Sequence, residues 1–226
     1  MPSDPRSEAS LVCKLLVAHL SQRWEGKNAV LELKEADYQW RQMEWVGWYF
    51  EFKARTILTQ NLGGGLGPRY GLTQFDYRRE NVWDFKVHVL SGQPWAIVND
   101  KEAVDLCIRD FGFVGIILAV GEAQLDDERR RFKAWHDSLK GRRSLYEEER
   151  IRRGASSRIR KRAFMMARIE ALGLTSRLLR EGVDEGWVVH FQEGMRNANG
   201  SPRRPKYMVN LDVLPESARI RSLPTR

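Results

Sequence analysis

Apolar residues recur at helical spacing over residues 9–24, where Leu11, Leu15 and Ala18 run beside Val12, Leu16 and His19, and Gly26 closes the run. Residues 28–35 fit a strand or the start of a helix equally. A longer helix is expected over residues 35–60, with Trp45, Trp48, Tyr49 and Phe52 as its buried stripe. Glu44 and Glu51, seven apart, share a face beside that stripe. The stretch 61–68, Asn-Leu-Gly-Gly-Gly-Leu-Gly-Pro, breaks the pattern. It lacks the Gly-Lys-Ser/Thr ending of a phosphate-binding loop and reads as a flexible connector.

The period then changes from helical to twofold. Residues 72–77 and 82–90 form a candidate hairpin around a turn at 78–81. In its second strand Trp83, Phe85, Val87 and Val89 point one way, and Asp84, Lys86 and His88 the other. This predicts an apolar back and a charged front. A short strand follows at 95–98, then a helix at 101–110 capped by Asn99 or Asp100 and closed by Gly112. The nearly unbroken apolar run 113–120 marks a strand buried on both faces. Helix, hairpin, strand, helix and strand together predict an α/β fold, a mixed central sheet between helices.

The second part of the chain is more polar. Residues 124–140 read as a charged helix. Residues 157–172 read as a basic helix, with Ile159, Ala163, Met166 and Ile169 near one face and Arg158, Arg160, Lys161 and Arg162 around it. Another helix ends within 176–181. Residues 187–193 and 207–214 make a hairpin around the basic loop 194–206. The domain boundary is therefore set at 123/124: an N-terminal helix and core in 1–123, and a basic helical and hairpin extension in 124–226, belonging to the same domain.

Charge changes close to the same point. Of a net +8, residues 1–126 hold 14 Lys/Arg against 17 Asp/Glu, and residues 127–226 hold 24 against 13. The second part thus suits a polyanion. With 42% hydrophobic residues and eight Trp, disorder throughout is excluded. The longest apolar run is too short to span a bilayer, the first residues lack signal architecture, and Cys13 and Cys107 form neither a disulfide framework nor a zinc spacing. A cytoplasmic protein with no membrane partner is expected.

The hairpin carries the candidate chemistry. Asp84 and Lys86 share a strand face, and a tight turn brings Asp76 opposite residue 83 or 84. Two facing carboxylates repel unless a cation lies between them. A hard cation there offsets phosphate charge and activates water, while a nearby Lys orients that water. A surface ion pair is the competing reading for Asp84 and Lys86. Glu51 likewise fits a helix-surface pair with Arg55, and His88 fits a plain polar neighbour.

Phe75-Asp76 followed by Trp83-Asp84-Phe85-Lys86 resembles the PD-(D/E)XK nuclease motif. Over residues 38–120 the chain looks most like type II restriction endonucleases. Phe75 stands where the motif has Pro, and the spacing from Asp76 to Asp84 is short for the family. The resemblance implies a restriction-endonuclease-like αβββαβ core and a catalytic set of Glu51, Asp76, Asp84 and Lys86, with Asp76 and Asp84 holding Mg²⁺. It implies site-specific cleavage of double-stranded DNA, a homodimer for a palindromic site, and a cognate methyltransferase acting on the same sequence. Arg158, Arg160, Lys161 and Arg162 are candidate phosphate contacts, with a solvated face as the alternative. Arg196, Asn199, Arg203, Arg204 and Lys206 are candidate base or phosphate contacts, with a plain hairpin loop as the alternative. Competing functions are a repair or junction-resolving nuclease of the same fold and a non-catalytic nucleic-acid-binding protein.

Overall fold

The structure, a computed structural model, describes residues 4–141, 145–197 and 200–225, without the side chains of 145 and 146. Helix α1 (Pro5–His19) starts on Asp4, whose carboxylate accepts the Arg6 N–H at 3.2 Å. It ends before Trp24, which belongs to β1 (Arg23–Glu25). The long helix expected over 35–60 is two helices, α2 (Gly26–Glu35) and α3 (Trp45–Leu62). Asp37 and Gln39 take positive φ between them, a reversal that no Gly or Pro announces. The buried stripe of α3 is also turned from the expected one. Val46, Tyr49, Phe50, Ala54, Ile57 and Leu58 face the core with Trp45, while Trp48 and Phe52 are only half-buried.

Short strands β2 (Arg69–Tyr70), β3 (Thr73–Gln74) and β4 (Tyr77–Arg78) lead to β5 (Val82–Val89) and β6 (Trp95–Asp100). Then come α4 (Lys101–Phe111), β7 (Val114–Leu125), α5 (Arg131–Lys140) and α6 (Leu145–Arg152). The chain closes with β8 (Lys161–Leu174), α7 (Ser176–Glu185), β9 (Val188–Phe191), β10 (Lys206–Asn210) and β11 (Arg219–Pro224).

The main sheet runs β1-β8-β7-β5-β4, with β11 also on β8. Among the described residues only β5 and β7 are parallel in it. A second sheet, β6-β10-β9, is antiparallel. The sequence placed β6 in the main sheet; it pairs with β10 instead. Side-chain alternation divides the core between the two faces of the main sheet. Trp83, Phe85, Ile117, Ala119 and Ile169 pack with α1, α2 and α3. Ile116, Leu118, Val120 and Leu172 pack with α4, α7 and the second sheet. The β7 strand is buried on both faces, as its apolar run requires. Gly115 makes room there: a Cβ on it would lie 2.1 Å from the Trp83 ring of the neighbouring strand.

The largest departure from the sequence reading is β8. Residues 161–174 form a strand where a basic helix was expected. Ala167 and Arg162 have no partner in the ladder to β7, and such bulges interrupt strict alternation. The buried Ala163, Met166 and Ile169 then recur every third residue, which imitates a helical stripe. The strand lies beside β7 within the main sheet, so this stretch is core and not an extension. The 123/124 boundary falls inside β7 for the same reason. Of the helix expected over 124–140, only α5 forms. No helix among the described residues is long and apolar enough to cross a membrane.

Candidate active site

The pairing of β4 with β5 sets the site. Tyr77 lies opposite Trp83 and Arg78 opposite Val82, leaving residues 79–81 as the turn. One step beyond that ladder, Asp76 accepts the Phe85 N–H at 2.7 Å. Two distant contacts hold this tight geometry. The buried carboxylate of Glu8 in α1 accepts the Asn81 N–H at 2.9 Å and the Asn81 side-chain amide at 2.6 Å, pinning the turn. The glycine stretch lies along the other edge of 75–78. Gly65 and Arg78 exchange backbone hydrogen bonds at 3.0 and 2.8 Å, and the Gly67 N–H donates to Phe75 at 3.0 Å. Read from sequence as a flexible connector, this stretch is instead a hydrogen-bonded brace for the segment carrying Asp76. Gly64 is needed in it: its φ is 82°, and a Cβ would lie 2.7 Å from the Arg78 carbonyl.

Asp84 is 1% exposed, so the charged front of β5 is not a solvent face at this position. One carboxylate oxygen, Oδ2, accepts from the Lys86 ammonium and from the Asn99 amide, the latter at 3.0 Å. Its other oxygen, Oδ1, is buried with no hydrogen-bond partner among the described residues. Lys86 Nζ also donates to the Phe85 carbonyl at 3.2 Å, so that oxygen opens on the same space. Glu51 faces this cluster from α3, where its Oε1 accepts from the Tyr38 hydroxyl. Arg55 lies 4.9 Å from the Tyr38 ring centroid, and no Glu51–Arg55 ion pair forms among the described residues.

The electrostatics join the four side chains. Burial pushes the Asp76 carboxyl well above its usual range, and the charge of Asp84 adds to this while Lys86 offsets part of it. Burial also raises Glu51, against the Tyr38 hydrogen bond and the Lys86 charge. For Lys86, burial acts downward, but the charges of Asp84, Asp76 and Glu51 outweigh it and hold the ammonium protonated. Asp76 and Asp84 thus share the single ammonium of Lys86, while Glu51 feels both Lys86 and Arg55. Among the described residues no group of three or more His, Cys, Asp and Glu is gathered tightly enough to hold a metal. A cation would therefore rest on the two carboxylates Asp76 and Asp84 and on the Phe85 carbonyl. The unpartnered, buried Oδ1 of Asp84 fits that role, since hard cations take such oxygens.

A cleft of about 530 Å³ opens beside Glu51 and Lys86, lined by α3, β5, β6 and Lys161. His88 lies on it, half-buried, with burial and the Arg168 charge lowering its pKa.

The basic candidates divide. Arg158, Arg162, Arg196 and Arg203 are exposed. Arg160 is not available to a polyanion: it is buried, donating to Asp137 at 2.7 Å and to His136 Nδ1 at 3.2 Å. Lys161 pairs with Glu44 at the cleft. Arg204 and Lys206 both engage Asp100, which is why Asp100 makes no side-chain cap on α4. Asn199 lies outside the described residues. Sequence reasoning missed Glu8 and Tyr38 and read Asn99 only as a helix cap, because each reaches the site through the fold.

No family model, no curated protein and no solved structure matches this chain.

Proposed function

We propose that the protein is a magnesium-dependent DNA endonuclease hydrolysing phosphodiester bonds, built on a restriction-endonuclease-like unit of α3, β4, β5, β6, α4 and β7. The observation that carries this is the buried Asp84 with one unpartnered oxygen, set against Asp76 and Lys86 at the lip of a cleft. The order of elements supports the αβββαβ reading; the pairing of β6 outside the main sheet is a departure from it. Asp76 and Asp84 would hold Mg²⁺, which supplies positive charge against the phosphate and makes water more acidic. Lys86, kept protonated, places a fixed positive charge where charge develops on the phosphate. Glu51 orients water from the α3 side. Arg158, Arg162, Arg196 and Arg203 offer phosphate contacts, which position a duplex without reading its sequence. In the site-specific form of this reading, the enzyme is a two-fold dimer partnered by a methyltransferase. A repair or junction-resolving nuclease with the same chemistry is the second reading, and the apolar cleft favours it.

Plasmid and oligonucleotide cleavage test the proposal. Wild-type protein cuts in Mg²⁺ and not in EDTA, and Lys86→Ala cuts about 10²–10³-fold more slowly. Without DNA, Mg²⁺ raises the melting temperature of wild type and leaves Asp84→Asn unmoved. Equal cutting by wild type and Lys86→Ala would sink the assignment.

A further inference from the structure

The cleft beside the carboxylates is larger and more apolar than phosphate chemistry requires. Its volume of about 530 Å³ falls within the roughly 300–1,000 Å³ of sites that enclose a small organic group. Helix α3 contributes Val46 and Trp48 to it, and β6 contributes Trp95 and Ile97. Both tryptophans are only half-buried, and Ile97 is exposed. Large aromatic surface is therefore left uncovered within reach of Lys86.

The third side of the cleft is the open edge of β5. Strand β4 pairs with β5 only as far as Trp83, and no other strand among the described residues takes up that edge. Phe85 shows which way the edge faces, since its N–H goes to Asp76 and its C=O meets Lys86. Backbone groups of alternate residues leave a strand on the same side. The N–H and C=O of Val87 consequently open on the cleft that Val87 lines. A donor and an acceptor side by side, next to aromatic faces, match the polar edge and flat face of a nucleobase.

We propose that this cleft takes one unpaired nucleobase of a DNA strand, stacked on Trp48 and Trp95 with its edge on the Val87 backbone. The adjoining phosphate then falls at Lys86. The substrate class is DNA with an unstacked or single-stranded nucleotide at the site of cutting, and not an uninterrupted duplex. The position of the phosphate rests on the nuclease reading; the base site does not. Stacking tolerates any base, so the cleft selects for an unpaired nucleotide and not for a sequence.

Fluorescence anisotropy with labelled oligonucleotides tests this. The probes are a single strand, a duplex with one bulged nucleotide and a fully paired duplex, all in EDTA so that no strand is cut. The single strand and bulged duplex bind about tenfold or more tighter than the paired duplex. Trp95→Ala weakens both by about 5- to 100-fold and leaves the paired duplex unchanged. Trp95→Phe, which keeps a ring, restores most of the affinity, and thermal melts of each variant establish that it is folded. Equal affinity for all three probes, or an equal loss on the paired duplex in Trp95→Ala, overturns the proposal. Cleavage in Mg²⁺ is scored separately. Preferential binding with no cutting of any probe sinks the nuclease and leaves the base site. Cutting of paired duplex that Trp95→Ala does not alter sinks the base site and leaves the nuclease.

Discussion

His136 shows how burial sets the protonation state of a single side chain. Its sequence context gives no ligand spacing, and its ionisable ring invites a functional reading. The ring is fully buried, with Nε2 donating to the Trp40 carbonyl at 2.8 Å and Nδ1 accepting from Arg160 at 3.2 Å. An arginine cannot accept, so Nδ1 must carry no proton and the ring is neutral. Burial depresses its pKa to about 4, the Trp40 hydrogen bond acts upward, and the charges of Lys140 and Arg160 act downward. The folded-state pKa lies below the unfolded one. The contribution to stability is therefore present in full above the unfolded value of 6.5 and is lost as pH falls toward 4. Between those values wild type should lose about 1.4 kcal/mol per pH unit from this group. Denaturant melts from pH 7 to 4 check it: the difference between wild type and His136→Gln should shrink with that slope, and a constant difference would contradict it.

At the scale of elements, the tight β4–β5 turn is the joint on which the candidate site depends, and a helix far away in sequence holds it. Glu8 of α1 is 3% exposed and accepts the backbone and side-chain N–H groups of Asn81. Removing an acceptor from buried donors costs about 1–3 kcal/mol. Glu8→Ala should therefore destabilise the fold by that amount, measured by urea unfolding. It should also reduce Mg²⁺-dependent cleavage, although Glu8 touches none of the four candidate catalytic side chains in the described contacts. Full activity in a destabilised Glu8→Ala protein would show that the turn does not position Asp76.

For the whole molecule, the net charge of +8 is spent in two ways. Arg160, Arg204 and Lys206 pair with carboxylates of the fold, Arg204 from an exposed position, while Arg158, Arg162, Arg196 and Arg203 face outward. These two groups should separate in one experiment. Arg158→Ala and Arg162→Ala should weaken DNA binding and each reduce the slope of log affinity against log salt by about 0.9 on duplex, or about 0.7 on single strands. Arg160→Ala should instead lower stability by about 1–3 kcal/mol, because it leaves the buried Nδ1 of His136 without its donor while Asp137 keeps Lys133, and should leave the salt slope unchanged at temperatures where it is folded. A lower salt slope in folded Arg160→Ala would return that residue to the binding surface.

Much of the local structure was legible in the chain. The alternation from Trp83 to Val89 gave β5 and its two faces, and the apolar run 113–120 gave a strand buried on both sides. The spacing of Asp76, Asp84 and Lys86 required a turn at 78–81, and such a turn closes at 79–81. These are short-range consequences of side-chain period, which strands and helices impose residue by residue. Three things lay beyond that reach. Bulges in β8 gave a strand the spacing of a helix. Asp37 and Gln39 broke a helix without Gly or Pro, which carried Tyr38 to Glu51. Glu8, Asn99 and the glycine brace came to the site through packing across the fold. Sequence by itself determined which residue types were available for the chemistry and which faces of each strand they share. Tertiary structure alone decided which of those charges are spent on each other, because pairing depends on distance in space, and a contact between residues 8 and 81 leaves no periodic trace along the chain.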